Sequence, residues 1–453
     1  MKAIILRVVL SLFLSLTCYF SFELSELEGL SLCLSIYILF HFVSNFGRSI
    51  YLILDTIVLL ACLTWLVTPL FFYHYYNSTN FLANLWVKTM QVSSEEYYSF
   101  VFPGVLALWL GLRFKKPKLT SQNFKLSNIT PRFQTSNFKK IGLILTVLSL
   151  FSTIFIDFVP ASIAYVFYLT QKLIFAGLIY LYYASEKRSF GYLMAGFALL
   201  MFTSIRGGMF GEMVFMLLIG AIIFSTNYVI RLRTKVLIAV LGFAFIIVIQ
   251  SVKGEYRKVA WVSGSSSTYF ADLVVDRISN PSKIVDPKAL FATAVRFNQG
   301  WLIAATMARV PSVVPYAEGE TIYNSILAIL IPRFLWPDKP IAGGKYNLKR
   351  FLGYGDLSYS MNLGPIGEAW ANFGKWGGVF FMFLYGFFFR FLFDFLLGIV
   401  NKRPSVIIWF PLLFFYAVSV ETDILTTLNS LVKTMVFVGF VFWIFPKVFR
   451  IEL

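Results

Sequence analysis

Apolar runs of close to 20 residues recur from one end of this sequence to the other. A run of that length crosses the roughly 30 Å hydrocarbon core of a bilayer as a helix, and a helix satisfies its own backbone hydrogen bonds. The composition agrees, because 58% of the residues are hydrophobic and 13% are charged, about half the charged share of a soluble domain. The sequence therefore predicts an all-α polytopic integral membrane protein.

Twelve runs have the length and apolar character of membrane spans. The first lacks a small-residue cleavage site and is followed at once by the second, which favours a retained helix over a signal peptide. The predicted spans lie near residues 4–22, 30–46, 50–72, 98–113, 141–158, 162–183, 190–205, 209–227, 236–252, 374–396, 405–420 and 429–446.

Lysine and arginine in the short loops predict the orientation, because these residues concentrate on the cytoplasmic side. Residues 114–139 hold six of them and no acid. The other short basic loops fall on the same side, whereas the acidic turns at residues 23–28 and 421–423 fall on the opposite side. Both termini are then cytoplasmic. The net charge of +17 is explained by these loops and calls for no nucleic-acid partner.

This parity divides the chain into three regions: nine spans in residues 1–252, one large outer loop in residues 253–373 and three spans in residues 374–453. Asp286 and Pro287 form a helix start within the loop, as N-cap and first helical residue. The apolar pattern that follows to residue 308 carries Arg296 at its middle, which argues against a lipid-exposed span. With the run at residues 322–331 it forms a candidate pair of re-entrant segments. Twelve spans is the preferred count and fourteen the alternative.

The outer loop is basic. The rule that Lys and Arg concentrate on the cytoplasmic side applies to short loops and not to long ones, so this charge needs another explanation. From Lys253 to Glu368 there are 13 Lys and Arg against nine Asp and Glu. Arginine near a bilayer surface suits an anionic lipid headgroup, and its planar fork grips a diphosphate with two hydrogen bonds at once. A solvated basic surface is the alternative.

Three cations beside predicted span ends are candidates for such a headgroup. Arg206 precedes Gly207 and Gly208, which are predicted to open a helix whose N-terminus favours an anion. Lys253 and Arg257 follow the ninth span. The alternatives without a ligand are that the Arg206 side chain extends along the apolar surface to the membrane interface, and that Lys253 and Arg257 anchor the end of the ninth span.

The segment 332–340 holds three prolines in nine residues, so it cannot form a regular helix. Phe334 and Trp336 offer flat apolar faces on which sugar rings stack, and Arg333 and Lys339 place cations beside them. The alternative is an interfacial tryptophan anchor.

Glu368 and Asn372 are four residues apart, on one face of the turn that leads into the tenth span. A carboxylate there either interacts favourably with the helix dipole or acts as a base that deprotonates a hydroxyl. No HExxH motif, cysteine cluster or group of carboxylates with ligand spacing accompanies it. No metal site and no cofactor are therefore expected.

Two short sequences carry a resemblance to a known family: IPRFLWPDKP at residues 331–340 and GPIGEAWANFG at residues 364–374. With the twelve-span layout, they resemble the bacterial oligosaccharide repeat-unit polymerases of the O-antigen and capsule pathways, the Wzy type. The resemblance covers about residues 206–378. It implies a metal-independent glycosyltransferase of the bacterial inner membrane that joins undecaprenyl-diphosphate-linked repeat units on the periplasmic side. Membrane lipid and a chain-length co-polymerase are further candidate partners.

Within this resemblance, Arg206, Arg296 and Arg333 are the candidates that balance the leaving diphosphate, and Glu368 is the base or the carboxylate that orients the acceptor. The substrate-binding candidates are Arg296, Lys339, Trp336, Phe334, Asn372, Arg257 and Lys253. The related O-antigen ligases rely on a periplasmic histidine, and the large loop of this sequence contains none. The alternatives are a ligase-type transferase, which would use lipid A as acceptor, and a lipid-linked sugar flippase or transporter, for which inverted repeats would be expected.

The loop charges predict that a reporter active only outside the cytoplasm works when fused near Ser266 and stays silent when fused near Ser127. The first position lies in the predicted outer loop and the second in the acid-free basic loop. The opposite pattern of reporter activity would contradict the orientation and, with it, the assignment of chemistry to the outer loop.

Overall fold

The computed structural model describes residues 2–85, 89–114, 137–184, 190–263, 267–331, 333, 335–354 and 361–451. Within these residues the regular structure is helical. Eight of the described helices are long and apolar enough to cross a membrane, and three shorter apolar helices accompany them. The protein is therefore a helical membrane protein, as predicted. Both reporter positions, Ser127 and Ser266, and the candidate Phe334 lie outside the described residues.

The described part of the first half of the chain consists mainly of apolar helices. A π-helical stretch, Cys62–Val67, links α3 and α4 into one long helix, Leu52–His74. The helices are α1 (Lys2–Phe22), α2 (Glu26–Asn45), α3 (Leu52–Ala61), α4 (Thr68–His74), α5 (Phe81–Leu85), α6 (Ser94–Arg113), α7 (Phe138–Phe155), α8 (Ala161–Gln171), α9 (Leu173–Ala184), α10 (Phe190–Gly207), α11 (Gly211–Ser225) and α12 (Leu232–Ser263).

The second half contains the shorter helices of the predicted outer loop and then three more apolar segments. The helices are α13 (Ser267–Ser279), α14 (Pro287–Phe297), α15 (Gly300–Arg309), α16 (Glu320–Leu330), α17 (Lys345–Asn347), α18 (Gly364–Lys402), α19 (Phe410–Ser419) and α20 (Ile424–Ile444), with a 3₁₀ turn at Pro404–Trp409 before α19. The predicted start of α14 is confirmed, because Asp286 caps Lys288 N at 3.0 Å. The predicted continuous pattern to residue 308 is wrong, since the helix breaks at Asn298 and Gln299.

Polar contacts join helix ends that the loop charges assign to one side. His74 Nε2 lies 3.1 Å from Glu28 Oε1, and the Ser94 hydroxyl donates to the same carboxylate. These residues sit at the ends of α4, α2 and α6, at the face predicted to be outer. At the other end of the same helices, Arg113 donates to Asp55 at 2.5 Å.

The contact between α6 and α18 is the closest approach of two long helices described. A Cβ on Gly111 would collide with Phe383 O, and a Cβ on Gly386 would collide with Leu108 O. Small residues at such contacts let two backbones approach within a membrane, where packing rather than hydrophobic burial drives association.

The helix α18 reverses direction at Gly374, whose φ of 64° and ψ of −158° are not helical. A Cβ on Gly104 would lie 2.9 Å from Ile366 and 4.0 Å from Met382, and one on Gly378 would lie 3.1 Å from Ala369 O. Residues 364–373 and 375–402 are therefore two antiparallel arms. The first arm ascends beside α6 and the second descends to the opposite face.

The predicted outer loop folds down between the spans rather than resting on them. At the break between α14 and α15, Gln299 N donates to Thr64 O at 3.2 Å. At the start of the first arm, a Cβ on Gly364 would lie 3.9 Å from the Trp65 ring. Trp65 precedes the end of α4 at His74 by nine residues, which corresponds to roughly 13 Å along a helix. At these two points the predicted outer region lies about that far below the outer ends of the helices, and we call this place the recess.

We predict that Gly111→Ala lowers the unfolding temperature of the purified protein in detergent, because the new methyl group meets the Phe383 carbonyl. Overpacking of this kind costs typically about 1–3 kcal/mol. Gly398→Ala supplies the matched control. Gly398 lies in α18, the helix that Gly111 contacts, and a Cβ at this position meets nothing within 4 Å. Equal unfolding temperatures for the two variants would contradict the close contact.

Candidate functional site

Three cations from two elements meet at the recess, and we call them the recessed cation cluster: Lys253 and Arg257 of α12 and Arg296 of α14. All three side chains are half-buried. The charge of Arg296 acts repulsively on both Lys253 and Arg257. Arg296 is distant in sequence from the other two cations, and all three were predicted as substrate-binding residues, so the structure brings three of the predicted candidates together.

Glu421 is the carboxylate that enters this cluster, from the turn between α19 and α20. Its Oε2 lies 2.6 Å from Arg296 Nη2, and 20% of its side chain is exposed. Its charge also acts favourably on Lys253. Arg257 is held by the end of α10, since its Nε donates to Gly208 O at 2.7 Å. The cluster thus combines mutually repelling cations with one partly exposed carboxylate, an arrangement that an incoming anion stabilises.

A pair of buried carboxylates, Glu368 and Asp423, lies at the start of α20, close to Glu421. Glu368, on the ascending first arm of α18, is 0% exposed, and Asp423 is 2% exposed. Glu368 Oε1 accepts a hydrogen bond from Ile424 N at 2.7 Å. Asp423 is the N-cap of α20 and accepts from Thr426 N at 2.7 Å. Burial raises the pKa of Asp423, because a low dielectric penalises its charged form.

Local sequence explains how this pair is enclosed. Gly343 and Gly344 adopt φ of 113° and 80°, a conformation that few side chains tolerate. A Cβ on Gly344 would collide with Asn362. The resulting turn lets Gly343 N donate to the Thr426 hydroxyl at 2.8 Å, and it carries the buried Asn347 toward Glu368. The chain before the first arm therefore covers the carboxylates.

Asn372 has a different place from the one predicted for it. Its Nδ2 donates to Glu368 O at 2.8 Å and to the Thr321 hydroxyl at 2.7 Å. It is 1% exposed. Asn372 thus ties the first arm of α18 to the start of α16, one turn above Glu368, and does not line the recess.

The candidates of the proline-rich segment lie apart from the recessed cation cluster. Arg333 donates to Pro337 O at 2.7 Å and to Lys339 O at 3.3 Å. Lys339 Nζ donates to Ala328 O and Ile331 O at 2.6 and 2.7 Å, the free carbonyls at the end of α16. Trp336 is half-buried. As predicted, no described residue of this segment is helical.

Arg206 has hydrogen-bond and ion-pair partners that belong to neither of these groups of cations. It lies in the last turn of α10, so the prediction that Gly207 and Gly208 open a helix is wrong: α11 begins at Gly211. The Arg206 guanidinium pairs with Asp157 and donates to Thr153 O at 3.0 Å. A cation at a helix C-terminus is favourable with the helix dipole, which explains this position without a ligand.

Sequence reasoning placed Glu421 and Asp423 on the outer side but did not include them in the site. Their signal was the presence of two acids in a turn of a few residues between apolar spans. A further cation, Lys433, lies within α20, and an ionisable residue in a span is itself a sign of function. No three His, Cys, Asp or Glu side chains among the described residues gather as a metal site.

We predict that Asp423→Asn raises the unfolding temperature, and that the gain grows as the pH rises above about 4. Because the folded-state pKa of Asp423 is raised, wild-type stability is fully present below the unfolded pKa of about 3.9 and falls as pH rises. Asparagine retains the N-cap and removes the buried charge. Asp286→Asn, at the exposed N-cap of α14, is the matched control. A gain that shrinks with pH would contradict the assignment.

Comparison with known proteins gives one match. A family model described as a domain of unknown function, DUF8712, matches residues 73–394. This range includes the recessed cation cluster and Glu368, whereas Glu421 and Asp423 follow it. No curated protein and no solved structure matches the chain. Because the matched residues make up more than half of the chain, it belongs to the DUF8712 family.

Proposed function

We propose that this protein polymerises oligosaccharide repeat units carried on undecaprenyl diphosphate, at the periplasmic face of the bacterial inner membrane. The bond between the sugar anomeric carbon and the carrier diphosphate breaks. A new glycosidic bond forms to a hydroxyl oxygen of the incoming lipid-linked unit, the hydroxyl proton passes to a base, and the lipid diphosphate leaves. The observation that supports this proposal is the recessed cation cluster, set within an apolar helical body.

The cluster suits the leaving group. A diphosphate gains negative charge as its bond to the sugar breaks, and positive groups fixed in advance at that point stabilise the transition state. Arg296 and Arg257 carry planar guanidinium groups that match phosphate oxygens in pairs. Water is scarce in a recess between apolar helices, so each charge interaction is stronger there than at an open surface. The leaving diphosphate is therefore balanced by side chains, without a metal.

The base is better assigned to Glu421 than to Glu368. Glu421 is partly exposed and lies in the cluster beside Arg296, within reach of a hydroxyl bound there. Glu368 is fully buried and holds Ile424 N, at the start of the helix that follows Glu421. We therefore assign Glu368 as a positioning residue that fixes the Glu421 turn. This revises the role implied by the resemblance while retaining the residue.

The proposed layout has twelve spans, cytoplasmic termini and an outer region, residues 253–373, that re-enters the recess. The eight long apolar helices and the three shorter ones account for eleven spans, and α6 is the twelfth. Contacts between helix ends predicted to share a side support the alternation. A flippase would be expected to show inverted repeats and short loops, whereas this chain has a long predicted outer region that carries the recessed cation cluster.

We predict that Arg296→Lys and Glu421→Gln each shorten surface polysaccharide to a single repeat. Loss of one such electrostatic contact typically lowers the rate by about 10²–10³-fold. Lysine keeps the charge at position 296 but loses the two-pronged fork. The measurement is the ladder of polymer lengths in cells that carry each variant, with protein level checked by immunoblot.

Lys288→Gln is the control for this experiment, because Lys288 is an exposed cation on the same α14. It should leave long chains intact. If Arg296→Lys and Glu421→Gln both give wild-type ladders at normal protein level, the polymerase assignment of this cluster fails. Normal chains with loss of their transfer to lipid A would instead identify a ligase-type transferase.

A further inference from the structure

A second group of cations lies at the tip of a re-entrant hairpin. The helix α16 starts beside the first arm of α18, where the Thr321 hydroxyl donates to Asn372 Oδ1 at 3.0 Å, and it packs along α20. The chain then returns, so that Gly343 N meets Thr426 near the start of α20. Residues 320–343 therefore descend beside α20 and come back, with the proline-rich segment at the tip.

The outward face of this hairpin is apolar. Tyr323, Ile326 and Leu330 lie on one side of α16 at helical spacing, and they are 62%, 46% and 69% exposed. Leu335 and Ile341, on the returning segment, are each 68% exposed. A contiguous apolar face of this kind is unfavourable in water, whereas lipid chains solvate it. The hairpin therefore presents this face to the bilayer.

The cations at the tip are Arg333, Lys339 and Lys433, which we call the hairpin cation cluster. The charges of Lys339 and Arg333 both act repulsively on Lys433, and that of Arg333 acts on Lys339. None of the ion pairs formed by the described residues includes any of the three. Among the described residues, these three positive charges thus gather without an ion-pair partner, and the exposed Asp338, next to Lys339 in the chain, forms none of those ion pairs either.

The position of Lys433 fixes the depth of this cluster. Lys433 follows the start of α20 at Ile424 by nine residues, or roughly 13 Å along the helix. Its Nζ lies 4.5 Å from the centroid of the Tyr165 ring, and the Tyr165 hydroxyl reaches Ser430 at 3.5 Å. An aromatic face holds a lysine in this way without neutralising its charge. The charge therefore stays available to a ligand.

We infer that the hairpin cation cluster is a second binding site for a lipid-linked diphosphate, entered sideways from the bilayer. The lipid chain would lie along the apolar face of α16, the diphosphate would contact Arg333, Lys339 and Lys433, and the sugars would extend past Trp336. This inference rests on the proposed function, because a polymerase must hold two lipid-linked units at once. Two separate cation clusters allow two diphosphates, which repel one another, to be bound together.

The test counts bound lipids by native mass spectrometry of the purified, full-length protein in detergent, with undecaprenyl diphosphate lacking sugars as the probe. Wild type should bind two molecules. The double variant Arg333→Gln/Lys433→Gln should bind one, with affinity at the lost site reduced at least about tenfold, as expected when charge-assisted hydrogen bonds are removed. Arg296→Gln should lose the other molecule. Lys349→Gln, an exposed cation of the same region, should still bind two.

Two bound molecules in Arg333→Gln/Lys433→Gln would overturn the inference, as would a wild type that binds one molecule and is unaffected by that change. Equal occupancy of the site by phosphatidylglycerol, in competition with the probe, would assign it to bulk phospholipid and also overturn the inference. The binding count needs no polymer synthesis. Its failure is therefore distinguishable from failure of the proposed function, which the polymer ladder reports.

Discussion

Backbone polar groups inside a bilayer need partners from the protein, because lipid offers none. Two irregular stretches of the described chain that enter the helical body receive such partners from other segments. At the end of the ascending arm of α18, Ala317 N donates to Ala371 O at 2.9 Å. At the break between α14 and α15, Gln299 N donates to Thr64 O at 3.2 Å. The recess depends on these bonds, because they allow irregular backbone to descend between the spans.

Once that backbone is lowered, the charges it carries enter a medium of low dielectric. The ion pair of Arg296 with Glu421, whose side chains are 35% and 20% exposed, is screened less there than on an open surface, and neighbouring cations repel one another. The same depth encloses Glu368 and Asp423, each of which accepts one hydrogen bond from a backbone N–H group at the start of α20. The strength of these charge interactions therefore depends on how far the outer region descends between the helices.

The apolar helices could be predicted because length and apolarity are local properties. The run predicted near residues 98–113 is α6, Ser94–Arg113, and the run near 190–205 is α10, Phe190–Gly207. The reversal at Gly374 could not be predicted in the same way, since a glycine in an apolar helical pattern looks like any other. What identifies it is tertiary contact: Ile366 and Met382 both meet Gly104.

The candidate site shows the same division between local and tertiary information. The alternation of loops between the two sides of the membrane predicts the side on which Glu421 lies. It does not predict how deep Glu421 lies in the protein, and that depth decides whether its carboxylate is solvated or paired. Arg206 and Arg296 are both lone arginines beside or within apolar runs in the sequence. One meets the exposed Asp157, and the other meets Glu421 within the recess. The chemistry open to each arginine is set by that partner, which lies 49 residues away in one case and 125 in the other.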